Sequence, residues 1–257
     1  MTKLINFVKY SSVRIGGEHE VLVLDAPCKL ASDICMIGGA NNLLVSPNPP
    51  KMAMLAENFN YINLNENCLE IGAATKSGMI YNFAKKHDIA GFEFVKSIPA
   101  TLGGMVFMNA GLLGLSISDL LTHVLLYRGW VPKSEINFSY RHSGICEPIF
   151  AARFDVSRGF DIKFADEISA KRANQPRGAS FGSCFANPVG NFAGRLIEAV
   201  GLKGYIVGGA KFSEQHANFL INFNNATFDD ATTLIALAQK RVFESFGIEL
   251  KTEVIVL

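Results

Sequence analysis

Gly182-Ser183-Cys184-Phe185, followed by Asn187-Pro188, sets a hydroxyl on a glycine-hinged turn, with a side-chain amide four positions on. A second cluster comes soon after: Gly201-Leu202-Lys203-Gly204, Gly208-Gly209-Ala210 and His216-Ala217-Asn218-Phe219. Small residues let backbone approach a ligand closely. Lys203, His216, Asn187 and Asn218 supply polar groups that a packed core disfavours, so this third of the chain reads as a surface for a polar, anionic small molecule. Ser183 is equally a turn serine bonding its own backbone, and a lone His216 is equally a satisfied rim residue.

Two further stretches have residue types suited to phosphate. Gly38-Gly39-Ala40-Asn41-Asn42-Leu43 follows an apolar run, Ile34–Ile37. Successive amides in such a loop form an anion-binding nest, and a plain β-turn explains the residues as well. It is neither G-x-G-x-x-G nor G-x-x-x-x-G-K, which argues against a Rossmann site and a P-loop. The second stretch runs Ile98-Pro99-Ala100-Thr101-Leu102-Gly103-Gly104, then Asn109-Ala110-Gly111 and Gly114. Pro99 fixes its entry, Gly103 and Gly104 remove side chains from the approach, and Asn109 offers a donor and an acceptor. A tightly packed turn-helix-turn is the alternative.

The elements that must position these groups read as α+β. Val21–Leu24, Ile34–Ile37, Tyr61–Leu64 and Cys68–Ala73 are strands, the last two joined by a turn at Asn65-Glu66-Asn67. A helix over Gly78–His87 is capped by Ser77. Strands return at Val124–Tyr127 and Ile149–Val156. Helices follow at Asp166–Arg172, at Gly194–Val200 with Gly201 as its stop, and at Asp229–Phe246 ending on Gly247. An alternating strand, Glu249–Val256, closes the chain and carries Glu253. Boundaries fall near 57 and 158.

The composition excludes several classes. The chain has 257 residues, 49% hydrophobic and 18% charged, so it is globular and long enough for one large domain or two to three compact ones. A net charge of +1 gives no electrostatic case for nucleic acid or an anionic membrane. Five scattered cysteines without C-x-x-C read as free thiols in a reducing cytosol. The five histidines lack metal-ligand spacing, so no metal is expected. No apolar run reaches membrane-spanning length, and the first residues lack signal-peptide features.

The ordered blocks resemble the UDP-N-acetylenolpyruvoylglucosamine reductase family over nearly the whole chain. Ser11-Ser12-Val13-Arg14-Ile15-Gly16-Gly17, Gly38 to Val45, Gly91 to Gly114, Tyr140-Arg141-His142-Ser143, Phe181 to Pro188, Ala193 to Glu198, Gly201 to Gly204 and Leu250 to Val254 carry the likeness. Ala40 and Asn41 stand where the family has Gly and Ser; Ala100 replaces a Gly, Leu112-Leu113 an Ala-Tyr, and Ala186 a Lys.

The resemblance implies a two-part FAD-binding domain of the vanillyl-alcohol-oxidase type (1–57 and 58–157) and a smaller α+β substrate-binding domain (158–257). It implies FAD held by the two glycine loops, NADPH as hydride donor, and reduction of the enolpyruvyl ether of a UDP-sugar in peptidoglycan synthesis. Ser183 is then the proton donor, Arg141 the fork that stabilises charge on the substrate carboxylate, and Glu253 its carboxylate partner. Asn187, Lys203, His216 and Asn218 become substrate contacts. A cytoplasmic monomer of the compact form, without an extra tyrosine-bearing loop, is expected. An alcohol or sugar oxidase on the same scaffold, or a flavin-binding module without catalysis, are the rivals. A visible spectrum and an NADPH oxidation assay separate the three.

Overall fold

A computed structural model describes residues 1–172 and 175–257. The chain divides into two compact units interleaved along the sequence. The first holds Met1–Lys3, Val21–Gly39 and Lys51–Ala173; the second holds Leu4–Glu20, Ala40–Pro50 and Asn174–Leu257. This division differs from the expected 1–57, 58–157 and 158–257. Val13, Ile15 and Leu44 are buried in the C-terminal core, and Ile168 is buried in the core of the first unit.

Two larger sheets and a short hairpin, Gly111–Leu112 with Leu115–Ser116, lie among the described residues of the first unit. Val21–Leu24 and Ile34–Met36 both pair in parallel with Lys51–Leu55. These parallel pairs lack the helical crossovers such strands usually need, because turns and loops join them. The larger sheet is antiparallel, in the order Gly129–Pro132, Leu121–Leu126, Ala151–Asp155, Cys68–Gly72, Ile62–Leu64. Its register sets Val131, Val124, Ala152, Ile71 and Ile62 in one cross-strand row. That face packs against Ile80 and Ala84 of the helix Ser77–Lys86, Met105 and Val106 of Leu102–Phe107, and Ile168 of Ile162–Lys171. A smaller core of Leu24, Ala53, Phe59 and Phe150 lies under the parallel strands, with the two rings 5.4 Å apart.

The second unit is built on an antiparallel sheet, Ala179–Ser183, Phe219–Asn222, Ala210–Phe212, Ile206–Val207. The helix Phe228–Phe246 buries Ala231, Leu234, Ala238 and Val242 against it. Thr227 and Asp230 form a capping box at its start, and Gly247 closes it at φ +65°. Backbone N–H groups of Thr227 and Gly209 hold the Asp230 carboxyl below its usual range.

Three local expectations change. Ser77 lies inside its helix rather than capping it; Lys76 is the N-cap, and Ser77 N–H donates to Ala100 O at 2.9 Å. The helix expected at Asp166 begins at Ile162, because Asp161 Oδ1 accepts from Phe164 N–H. The closing strand is confined to Ile255–Val256, parallel to Leu43–Leu44. Upstream, the segment makes only an isolated bridge, Thr252 to Phe185. It changes partner at Glu253, so no continuous ladder forms.

Candidate active site

Ser183 ends the strand Ala179–Ser183, where the pairing shifts register between Ser180 and Ser183. Gly182 sits at φ +85°, a conformation that L side chains rarely adopt. A bulge of this kind re-aims the next side chain. The backbone-bonding turn serine is Ser180, whose Oγ accepts from Gly182 N–H at 3.1 Å. The Ser183 side chain is half-buried.

Beyond Ser183 the backbone is held on both edges. Cys184 N–H donates to Asn218 O at 2.7 Å. Asn218 Oδ1 accepts from Phe185 N–H at 3.0 Å, and its Nδ2 donates to Phe185 O at 2.8 Å. Only 3% of Asn218 is exposed. Its amide thus replaces a missing ladder partner and holds the turn that follows the serine. On the other edge, Glu253 N–H donates to Cys184 O at 2.9 Å and Ala186 N–H to Lys251 O at 3.0 Å. Ser183 and Glu253 are therefore linked through one residue, Cys184. Burial, and then the nearby Glu253 charge, push the Cys184 thiol well above its usual range, so it stays protonated.

The other expected substrate contacts are distributed around this turn. Asn187 is exposed, and its Oδ1 accepts from Ala193 N–H at 3.0 Å, satisfying an orphan donor of the helix Ala193–Ala199. Lys203 pairs with Glu198 at 2.8 Å on a solvated surface, so an anion would have to compete for it. His216 is half-buried, and its ring lies over Gly194, where an added Cβ would come within 3.1 Å of Cε1. Its Nδ1 accepts from Asn218 N–H at 3.3 Å, which leaves Nε2 as the protonated nitrogen. Desolvation lowers its pKa, with Lys203 nearby adding to the effect, so it is neutral at pH 7. Ser213 went unnoticed in the sequence. Its Oγ accepts from Gln215 and His216 N–H, and the S-x-x-H spacing is the signal that could have found it.

Arg141 belongs to the first unit. Ser139 and His142 exchange backbone hydrogen bonds of 2.8 and 3.2 Å around Tyr140-Arg141, and Arg141 sits at φ +57°. Its guanidinium lies against the Tyr140 ring and donates to Gly111 O at 3.1 Å. Asn109 is 7% exposed at φ +42°. Its Nδ2 donates to Ser139 O at 2.9 Å, and its Oδ1 accepts from Ser118 N–H. Asn109 thus anchors the turn that presents Arg141.

The remaining residues of the second glycine stretch are tied to their neighbours in the same unit. Leu102 N–H and Gly103 N–H each donate at 2.8 Å, to Thr75 O and Ala73 O, and Ala110 N–H donates to Met105 O. Thr101 caps the helix Leu102–Phe107 through Gly104 N–H. Gly38 packs so closely on Thr101 that a Cβ there would lie 2.6 Å from Oγ1. At Gly104 a Cβ would meet only Thr101 Oγ1, at 3.5 Å, and otherwise open space. Gly38 and the Thr101–Gly104 turn therefore make one small-residue surface in this unit. Small-residue surfaces of this kind are the type that takes a diphosphate.

In the second unit, Ala40 stands at φ +49° and is 2% exposed. Left-handed backbone costs Ala about 1–2 kcal/mol relative to Gly. Ala40→Gly removes that strain but loses a buried methyl, about 0.8 kcal/mol, and adds unfolded-state entropy of about 0.5–1 kcal/mol. The terms nearly cancel, so thermal unfolding is expected to move by no more than about 2 °C. A shift larger than about 5 °C either way would contradict this conformation.

The whole chain superposes on the crystal structure of a UDP-N-acetylenolpyruvylglucosamine reductase from Thermus caldophilus. The TM-score is 0.85 at 27% identity, covering 100% of this chain and 98% of that one. The fold and its relatives together define an α+β oxidoreductase. UDP-N-acetylenolpyruvoylglucosamine reductases from Campylobacter jejuni strain RM1221 and Helicobacter hepaticus are 51% and 48% identical to the chain, over 99% and 100% of its length and 100% and 99% of theirs. Residues 174–257 match the model of that reductase's C-terminal domain. The chain belongs to the UDP-N-acetylenolpyruvoylglucosamine reductase family, flavoprotein oxidoreductases of peptidoglycan synthesis. Among the described residues no helix is long and apolar enough to cross a membrane.

Proposed function

We propose that this protein reduces the enolpyruvyl ether of UDP-N-acetylglucosamine to UDP-N-acetylmuramate, using FAD and NADPH, as a cytoplasmic monomer. The observation that carries the reading is the hydrogen-bonded link from Ser183 through Cys184 to Glu253. It supports the reading by joining the main-chain segments that carry the hydroxyl and the carboxylate. FAD, when bound and reduced by NADPH, supplies the hydride for the terminal methylene carbon.

This chain's residues handle the charge and the proton. Gly38, Gly39, Ala40, Asn41, Asn42 and Leu43, with Pro99, Ala100, Thr101, Gly103, Gly104, Asn109, Ala110 and Gly111, hold the cofactor, Asn42 and Asn109 through their main chain rather than their side chains. Addition of hydride leaves negative charge on the carbon beside the substrate carboxylate, delocalised onto that carboxylate. Arg141, always cationic and fork-shaped, stabilises it. Ser183 delivers the proton to the adjacent carbon; a weak acid suffices against so basic a centre when it is pre-positioned. Glu253 accepts a hydrogen bond from the enolised carboxyl. Lys203, Asn187 and neutral His216 contact the sugar nucleotide, while Asn218 keeps the Ser183 turn in place.

The purified protein is expected to be yellow, to be stabilised by FAD against heating, and to oxidise NADPH over many turnovers when the enolpyruvyl sugar nucleotide is present. A colourless protein indifferent to FAD, or no multiple-turnover NADPH oxidation with that substrate, would overturn the reading.

A further inference from the structure

We infer that Asn42 is a positioning residue for Glu253, acting through its side-chain amide. This inference rests on the role proposed above for Glu253. The strand Leu43–Leu44 pairs in parallel with Ile255–Val256, and Ile255 N–H donates to Asn42 O at 3.0 Å. The backbone ladder stops there. Asn42 Nδ2 extends it by one residue, donating to Glu253 O at 2.9 Å. Asn42 thus brackets Glu253 and Ile255, with its own carbonyl on one and its side chain on the other.

Glu253 N–H is meanwhile taken by Cys184 O at 2.9 Å. Both main-chain polar groups of Glu253 are therefore fixed, each by a different segment of the second unit. A residue at the end of a strand usually frays; here the side-chain amide removes that freedom. The main chain at Glu253 is thus held from both sides, and its carboxylate lies near enough to Cys184 to act on the thiol. A terminal carboxylate that must meet a transient charge gains rate from being held in this way. Leu43 and Leu44 are buried, so Asn42 is itself presented from a fixed strand.

The experiment compares Asn42→Ala and Asn42→Asp with Glu253→Gln and the corresponding double variants, each loaded with FAD. Flavin content, flavin reduction by NADPH, and reoxidation by the enolpyruvyl substrate are measured separately by stopped flow, the last across pH. Asn42→Ala and Asn42→Asp are expected to slow reoxidation roughly 10- to 100-fold and to move its pH profile, with flavin content and reduction retained. In the Glu253→Gln background the same changes are expected to cost less than about threefold, because the group being positioned is already gone. Fully additive effects, an unmoved pH profile, or lost flavin content as the cause of slowing would each overturn the inference. If Glu253→Gln itself reoxidises at the normal rate, the proposed role of Glu253 fails first. If Glu253→Gln is slow and Asn42→Ala is not, only the positioning role fails.

Discussion

Ser183→Ala is expected to slow reoxidation of the reduced enzyme by the enolpyruvyl substrate by roughly two to four orders of magnitude, the usual weight of a positioned general acid. That corresponds to about 3–5 kcal/mol of lost transition-state stabilisation. Reduction by NADPH is expected to stay within about twofold, since this step needs no proton at the substrate carbon. The substitution removes one oxygen from a half-buried side chain. The local turn is held by Ser180, and the following peptides by Asn218, so stability is expected to change by no more than about 0.5 kcal/mol. Single-turnover absorbance in the two half-reactions checks this. Equal slowing of both would make Ser183 a structural residue of the bulge.

Glu253→Gln is expected to have a comparable effect on the same step. Glu253 is anchored through main-chain groups, N–H to Cys184 and C=O to Asn42, which the substitution keeps. The fold and the register of the closing segment should therefore survive. Flavin binding and reduction should remain, since neither develops charge that this carboxylate must answer. Transfer to the substrate should fall by at least about 100-fold, because an amide cannot replace a charged partner of the enolised carboxyl. A wild-type rate in that step would leave Glu253 as an ordinary terminal carboxylate and remove its proposed catalytic role.

Some of this molecule was legible before folding. The helix Phe228–Phe246 was visible in the spacing of Ala231, Leu234, Ala238 and Val242, all of which are buried, and Gly247 marked its end. The hairpin around Asn65–Asn67 and the turn at Gly182 could also be read, because glycine and asparagine have few other uses in such patterns. Family membership came from the order of short blocks that no single block could establish. The closing strand was misjudged for a physical reason. Leu250, Val254 and the residues between them alternate as a strand would, but the segment pairs first with Phe185 and then with Leu43–Leu44. Periodicity records which side chains are buried, not which backbone is the partner.

The candidate site shows the same limit. Ser183, Arg141 and Glu253 were chosen by chemical type and by block. Sequence alone placed Asn218 and Asn109 among ligand contacts, because a side-chain amide in a glycine-rich stretch suits a ligand and a backbone equally well. The tertiary structure gives both amides to main-chain groups, at Phe185 and at Ser139. Asn42 gains its hold on Glu253 across 211 positions. What the sequence determined by itself was therefore the inventory: the reactive groups, the glycines that free the backbone around them, and the helices whose period local sequence encodes. Which amides bind the backbone, and where the last strand starts, was decided only when distant segments met. A hydrogen bond depends on position and direction, and neither exists for two residues far apart in the chain until the core between them has packed.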